Sequence, residues 1–313
     1  MTKVTNAFAT YDVVGNREDL TNMIYMISPT ETPFQSSVGR EPVTSTLHEW
    51  QTDALATVST ANARLQGDTK SAASLTATTR ASNRTQISDK TVAITGTQLA
   101  MDPAGRANEM AHQVMKAGLE IRRDMEASMV QNQGIVAGGT TTAPKARSYC
   151  AWIATNDSRG VNGSDGSSTG AAATSGTQRT FTEALLKNVL QLCYTAGGNP
   201  DTISANVVNR QKISGFGGNQ TRYGQAERRE LVATVGLYVS DFGEHKIVCN
   251  RFQRERDVLV YESDKWAVGF LRPFTDVELA KTGDAETRLI GSEWTLIARN
   301  QASSGIVADC TTS

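Results

Sequence analysis

An α+β fold is what this sequence predicts, and three patterns carry the prediction. Residues 102–133 run without a helix breaker, and a second helix opens near residue 180. Short runs of β-branched residues stand before and after these helices in mixed order. Between two such runs, residues 54–83 offer little to bury, since 18 of the 30 are Ala, Ser or Thr. With 313 residues the chain is long enough for one large or two modest domains.

Taken in order, the chain begins with a short helix. Asn16 serves as its cap, Leu20, Met23, Ile24 and Ile27 fall at helical spacing, and Pro29 stops it. Pro29 and Pro33 then fix an extended course, so the first 40 residues read as an arm. Residues 43–50 and 86–97 alternate as half-exposed strands do. Between them, only Leu55, Val58, Leu65 and Leu75 are fit to anchor a core. Such a stretch is either a protruding β-hairpin or a disordered linker, and the matching flanks predict that its two ends pair with each other.

Asp102 as N-cap and Pro103 at the first helical position predict a helix of about 30 residues, roughly 45 Å long. Its apolar stripe is Ala107, Met110, Ala111, Val114, Gly118, Ile121, Met125 and Met129. Lys116 with Glu120 and Arg122 with Glu126 read as i, i+4 pairs on a solvated face. Residues 156–178 are so rich in Gly and Ser that they read as a flexible surface loop. Thr180 and Glu183 form the pattern of a capping box, and Gly197, Gly198 and Pro200 close that helix. Short strands are expected at 202–207, 231–239, 246–249, 258–261, 266–271, 277–280 and 293–298.

Composition narrows the function. Lys and Arg number 31 against 32 Asp and Glu, which removes the attraction that sequence-independent nucleic-acid coating needs. No apolar run approaches a membrane span and residues 1–10 lack signal-peptide order, which places the chain in a cytoplasm. Cys150, Cys193, Cys249 and Cys310 form no C-x-x-C and read as reduced, mostly buried thiols.

Motifs for chemistry fail one by one. Gly166-Ser167-Ser168-Thr169-Gly170 matches G-x-S-x-G, yet neither the preceding strand nor the following helix is predicted there. His48, His112 and His245 have no metal-ligand spacing and read as structural. Residues 162–166 lack the order of a calcium loop and suit a hairpin tip, and residues 215–218 do not follow a strand as a phosphate cradle would. No catalytic, cofactor-binding or metal-ligating residue is therefore assigned. A long arm, a low-complexity projection and a spine-like helix without clustered chemistry suit a chain that touches copies of itself.

The residues also carry a resemblance. Asn16 to Leu20, Ile27 to Phe34, His48 to Asp53, Gln86 to Ser88, Val92 to Gly96, Arg122 to Glu126, Asn199 to Ile203, Trp266 to Pro273 and Lys281 to Asp284 together resemble the SU10-like family of tailed-phage major capsid proteins. The match covers nearly the whole chain. It implies the Hong Kong 97-type capsid fold, whose subunits tile an icosahedral shell as hexamers and pentamers around double-stranded DNA. It further implies an N-terminal arm at 1–42, an extended loop at 43–97, a peripheral domain at 98–179 and 267–313, and an axial domain at 180–266.

Under that resemblance the extended loop crosses a neighbouring subunit, with Leu65 and Leu75 as apolar contacts and Arg64, Asp68, Lys70, Arg80 and Arg84 as rim charges. If Met1 is the gene-encoded start, an arm that begins almost there implies a separate scaffold or none. Portal and decoration proteins are further implied partners, with no cofactor, no membrane and no sequence-specific DNA contact. The setting implied is the virion capsid, assembled in a bacterial host cytoplasm. An encapsulin-like compartment shell and a serine hydrolase using Ser168 are the alternatives.

Overall fold

The computed structural model describes residues 28–63, 65–67, 69, 72, 74–102, 105–106, 108–166, 169–216, 236–281 and 283–312. The expected helix at 16–27 lies outside them. Helix α1 (Pro33–Ser37) leads into strands β1 (Gly39–Pro42), β2 (Leu47–Thr52), β3 (Thr79–Arg84) and β4 (Gln86–Thr95). Helices α2 (Gly96–Ala100), α3 (Glu109–Val130) and α4 (Tyr149–Trp152) follow, then β5 (Asp157–Ser158) and α5 (Glu183–Thr195). The remainder holds β6 (Thr202–Ala205), α6 (Val207–Ser214), β7 (Leu237–Ser240), β8 (Gly243–Cys249), β9 (Val258–Tyr261), β10 (Trp266–Leu279), β11 (Ala285–Ala298) and β12 (Gly305–Val307).

These strands form a four-stranded sheet in the order β1-β10-β11-β4, a six-stranded sheet in the order β5-β12-β9-β6-β8-β7, and the ribbon β2-β3. Strand alternation gives the six-stranded sheet two cores. Leu259, Tyr261 and Ile306 face one way, onto Phe34, Ile121, Met125, Met129, Tyr149 and Trp266. Val258, Val260 and Val307 face the other way, onto Leu186, Val189, Leu190 and Cys193 of α5. The first core continues into the four-stranded sheet through Val268, Trp294 and Leu296.

Several expectations are corrected. Helix α3 has 22 residues, roughly 33 Å, because Asn108 caps it through its side chain, which accepts from the Ala111 N–H at 3.1 Å. Upstream, Gly105 sits at φ +79, which breaks any helix begun at Asp102. Ala117 lies in the buried stripe, whereas Ala111 is exposed and Gly118 only half-buried. Glu126 is fully buried instead of lying on the solvated face. Helix α5 starts at Glu183 with Thr182 as its unbonded cap, so the capping box does not form. Glu183 accepts instead from Lys187 and from the Tyr238 hydroxyl.

The loop at 156–178 is not merely surface. A Cβ at Gly160 would stand 2.0 Å from the Thr177 carbonyl oxygen, and one at Gly170 (φ +93) would stand 2.4 Å from Ile135 Cγ2. Glycine is chosen there for close packing, which compositional reasoning mistakes for looseness. Pro33 stands at the first position of α1 instead of extending the chain. The strands expected at 266–271 and 277–280 are one 14-residue strand, β10, and β11 also runs to 14 residues. Cys249 alone of the four thiols is exposed.

Candidate subunit interface

The chain between residues 52 and 79 leaves the body on the β2-β3 ribbon. Its strands pair in antiparallel register from Leu47↔Arg84 to Thr52↔Thr79. The ends of the projection thus pair, as expected, but through residues 79–84. Residues 86–95 pair with β11.

The base of the ribbon is firmly held. Trp50 donates its indole N–H to the Ala298 carbonyl at 3.0 Å and packs against Trp152 with ring centroids 5.5 Å apart. Buried Asn83 donates to the carbonyls of Leu296 (2.6 Å) and Arg147 (3.2 Å) and accepts the Arg147 N–H at 2.8 Å. Thr85 donates to Glu293 at 2.7 Å. An unpaired polar group buried here would cost about 1–3 kcal/mol, so these bonds fix where the ribbon departs.

The far part is the reverse. Leu55 is 99% exposed, Val58 93%, Leu65 83% and Leu75 93%. Each such side chain contributes about 1.5–3 kcal/mol when buried, so four together offer about 6–12 kcal/mol to whatever covers them. Arg80 is exposed and pairs with Glu49 at 3.4 Å, a contact of little net worth. Arg84 is half-buried at the ribbon base, where its carbonyl accepts from Thr295, apart from the exposed residues. Arg64, Asp68 and Lys70 lie outside the described residues.

Sequence reasoning missed a second junction, around Glu126. Its Oε1 accepts from the Phe34 N–H (2.8 Å) and Asn250 Nδ2 (2.6 Å), and its Oε2 from the Gln35 N–H (2.8 Å). One carboxylate thereby caps α1, holds α3 and ties in the loop after β8. Burial pushes its pKa above the usual carboxylate range, against the pull of those three donors. No signal in sequence marks it, because its partners stand about 90 and 124 residues away.

No catalytic centre assembles among the described residues. Ser167 and Ser168 lie outside them, and the described residues around them form neither strand nor helix. Ser240 and His245 approach to 2.7 Å, but His245 is buried and its Nδ1 is held by the Pro200 carbonyl, so the pair braces the β7-β8 hairpin. Burial lowers the pKa of that imidazole. His48 lies tilted against Trp50, with ring centroids 5.6 Å apart. Among the described residues no group of three or more His, Cys, Asp or Glu is placed to hold a metal ion, and no helix is long and apolar enough to cross a membrane.

An anchored projection with exposed aliphatic side chains is the feature of the described residues that most plainly offers a surface for contact. Comparison with known proteins gives the chain's kind. The profile of the family described as SU10 major capsid protein matches residues 3–311. The major capsid protein of Escherichia phage Phieco32 is 28% identical, with 96% of each chain covered. The capsid asymmetric unit of cyanophage A-1(L) superposes with TM-score 0.62 at 13% identity, covering 99% of this chain and 100% of that one. The structure of Phage G gp27 major capsid proteins and gp26 decoration proteins gives TM-score 0.53 at 8% identity, covering 99% and 100%. At such identities the structures establish the fold, which is Hong Kong 97-type. The chain belongs to the SU10 major capsid protein family. It is a tailed-phage major capsid protein and not an enzyme, and neither the compartment shell nor the hydrolase is favoured.

Proposed function

We propose that the chain builds an icosahedral shell of hexamers and pentamers that encloses double-stranded DNA, each subunit laying residues 53–78 across its neighbour. The exposed aliphatic tip on a hydrogen-bonded base carries this reading, since one subunit leaves that tip uncovered. The residues assigned to neighbour contact are Arg64, Leu65, Asp68, Lys70 and Leu75 within the projection, and Arg80 and Arg84 on the strand at its base. Residues 1–42 act as the arm and 43–97 as the extended loop. Residues 98–179 with 267–313 form the peripheral domain, and 180–266 the axial domain whose loops meet around the symmetry axes. The six-stranded sheet draws β5 and β12 from the peripheral ranges, so a displacement of either domain is felt by the other.

A balanced charge suits a wall around DNA that does not grip it. Assembly takes place in the bacterial host cytoplasm, with scaffold and portal proteins as partners. Decoration proteins are a further partner, in line with their presence beside the Phage G protein. Electron microscopy of the protein expressed with its phage's assembly partners tests the reading. Shells from the intact chain, and only dissociated folded subunits after deletion of residues 54–78, are expected. Intact shells from the deletion variant would overturn it.

A further inference from the structure

Beside β1 lies a groove of about 580 Å³ that none of the described residues fills. Phe270, Phe274, Pro42 and Pro273 supply its apolar surface, with the two phenyl centroids 6.3 Å apart. Arg40 and Arg122 border it. Arg40 is exposed and has no carboxylate partner among the described residues. The Arg122 guanidinium donates to neutral oxygens, Thr32 Oγ1 at 3.3 Å and Gln35 Oε1 at 3.5 Å, and feels the buried Glu126 behind it. The remaining charged lining residue, Glu41, is engaged by Arg299. The groove therefore presents positive charge next to an apolar floor. Among the described residues its wall β1 is an edge strand, bonded only to β10, with no described strand along its outer edge.

We propose that this groove receives residues 53–57 of a second copy, added as a strand along β1. The proposal rests on the reading of residues 53–78 as a projection that reaches a neighbour, and adds where it lands. Asp53 is the one carboxylate of the projection among the described residues, and Leu55 stands two positions on, 99% exposed in its own subunit. In an extended chain positions i and i+2 share a face, about 6.6 Å apart. One face thus offers a carboxylate to Arg40 and Arg122 and an isobutyl group to Phe270, Phe274 and Pro273. Thr57 continues that face, and Ala54 and Ala56 turn small side chains outward.

A charge swap tests it. Every copy carries both halves, so Arg40→Glu is expected to cut the assembled fraction at least threefold and Arg40→Glu with Asp53→Lys to restore it to within twofold. Thermal melting of dissociated subunits guards against misfolding. Where Arg40→Glu melts early, Leu55→Cys with Phe274→Cys in a Cys249→Ser background replaces it. Oxidised shells of that variant are expected to give covalent dimers and higher ladders between chains. Normal assembly of Arg40→Glu, failure of the swap to restore a folded Arg40→Glu, or absence of interchain bonds overturns the groove assignment. If deletion of 54–78 still abolishes shells, only the landing site falls. If that deletion leaves shells intact, the projection reading falls as well.

Discussion

Replacing Glu126 by Gln isolates the junction between arm, long helix and sheet. The side-chain oxygen of Gln can keep the Phe34 N–H and Asn250 Nδ2 that Glu126 Oε1 now holds. Its amide nitrogen then faces the Gln35 N–H, donor against donor, where a carboxylate oxygen accepted at 2.8 Å. One buried donor left unmet costs about 1–3 kcal/mol, a factor of roughly 5–150 in the folded ratio. Against a stability of about 5–15 kcal/mol for a typical domain, that loss is readily measured.

The pH dependence has a definite sign. Burial holds this carboxyl above its ordinary 4.5, so the folded state takes up a proton more readily than the unfolded chain. That contribution is present below pH 4.5 and is lost as pH rises through the folded value. Urea titration of dissociated subunits should show a lower midpoint for Glu126→Gln, with the gap to the intact chain widest below pH 4.5 and narrowing as pH rises through the folded value. Hydrogen exchange should show the Gln35 amide deprotected ahead of the Phe34 amide. An unchanged midpoint with unchanged exchange at both amides refutes the reasoning.

Three further predictions follow the same logic. Gly160→Ala forces a Cβ to 2.0 Å from the Thr177 carbonyl and should destabilise the subunit by about 1–3 kcal/mol in urea titration. Asn83→Leu removes the acceptor of the Arg147 N–H and the donor to the Leu296 and Arg147 carbonyls, and should lower the melting temperature and speed proteolysis at residues 53–78. Burial lowers the His245 pKa from 6.5, so its contribution is full above pH 6.5 and lost as pH falls through the folded value. The stability difference between the intact chain and His245→Asn should therefore shrink below pH 6.5, measured by denaturant titration between pH 5 and 8.

What the sequence revealed and hid has a physical pattern. The stripe of α3, the apolar face of α5 and the exposed aliphatics of the projection were legible, because each is local periodicity or local composition. Glu126 was not, since four positions from an arginine it reads as half of a surface pair and only distant donors make burial tolerable. The groove was equally hidden: Arg40, Arg122 and Phe270 come from three separated segments that share no pattern. The glycines near residues 160–170 misled in the other direction, their small size serving contact and not freedom.

The β10-β11 pairing carries a mechanical consequence. Its register slips between Phe270 and Arg272 and again before Thr275, with Pro273 between. Inward of that break Trp266 and Val268 are locked into the core, whereas outward of it residues 275–279 pair, among the described strands, with β11 alone, itself bonded to β4. A broken ladder bends at lower cost than a continuous one. Curvature imposed on the subunit from outside is thus taken up at one crease near residues 270–275, which is also where the floor of the groove lies.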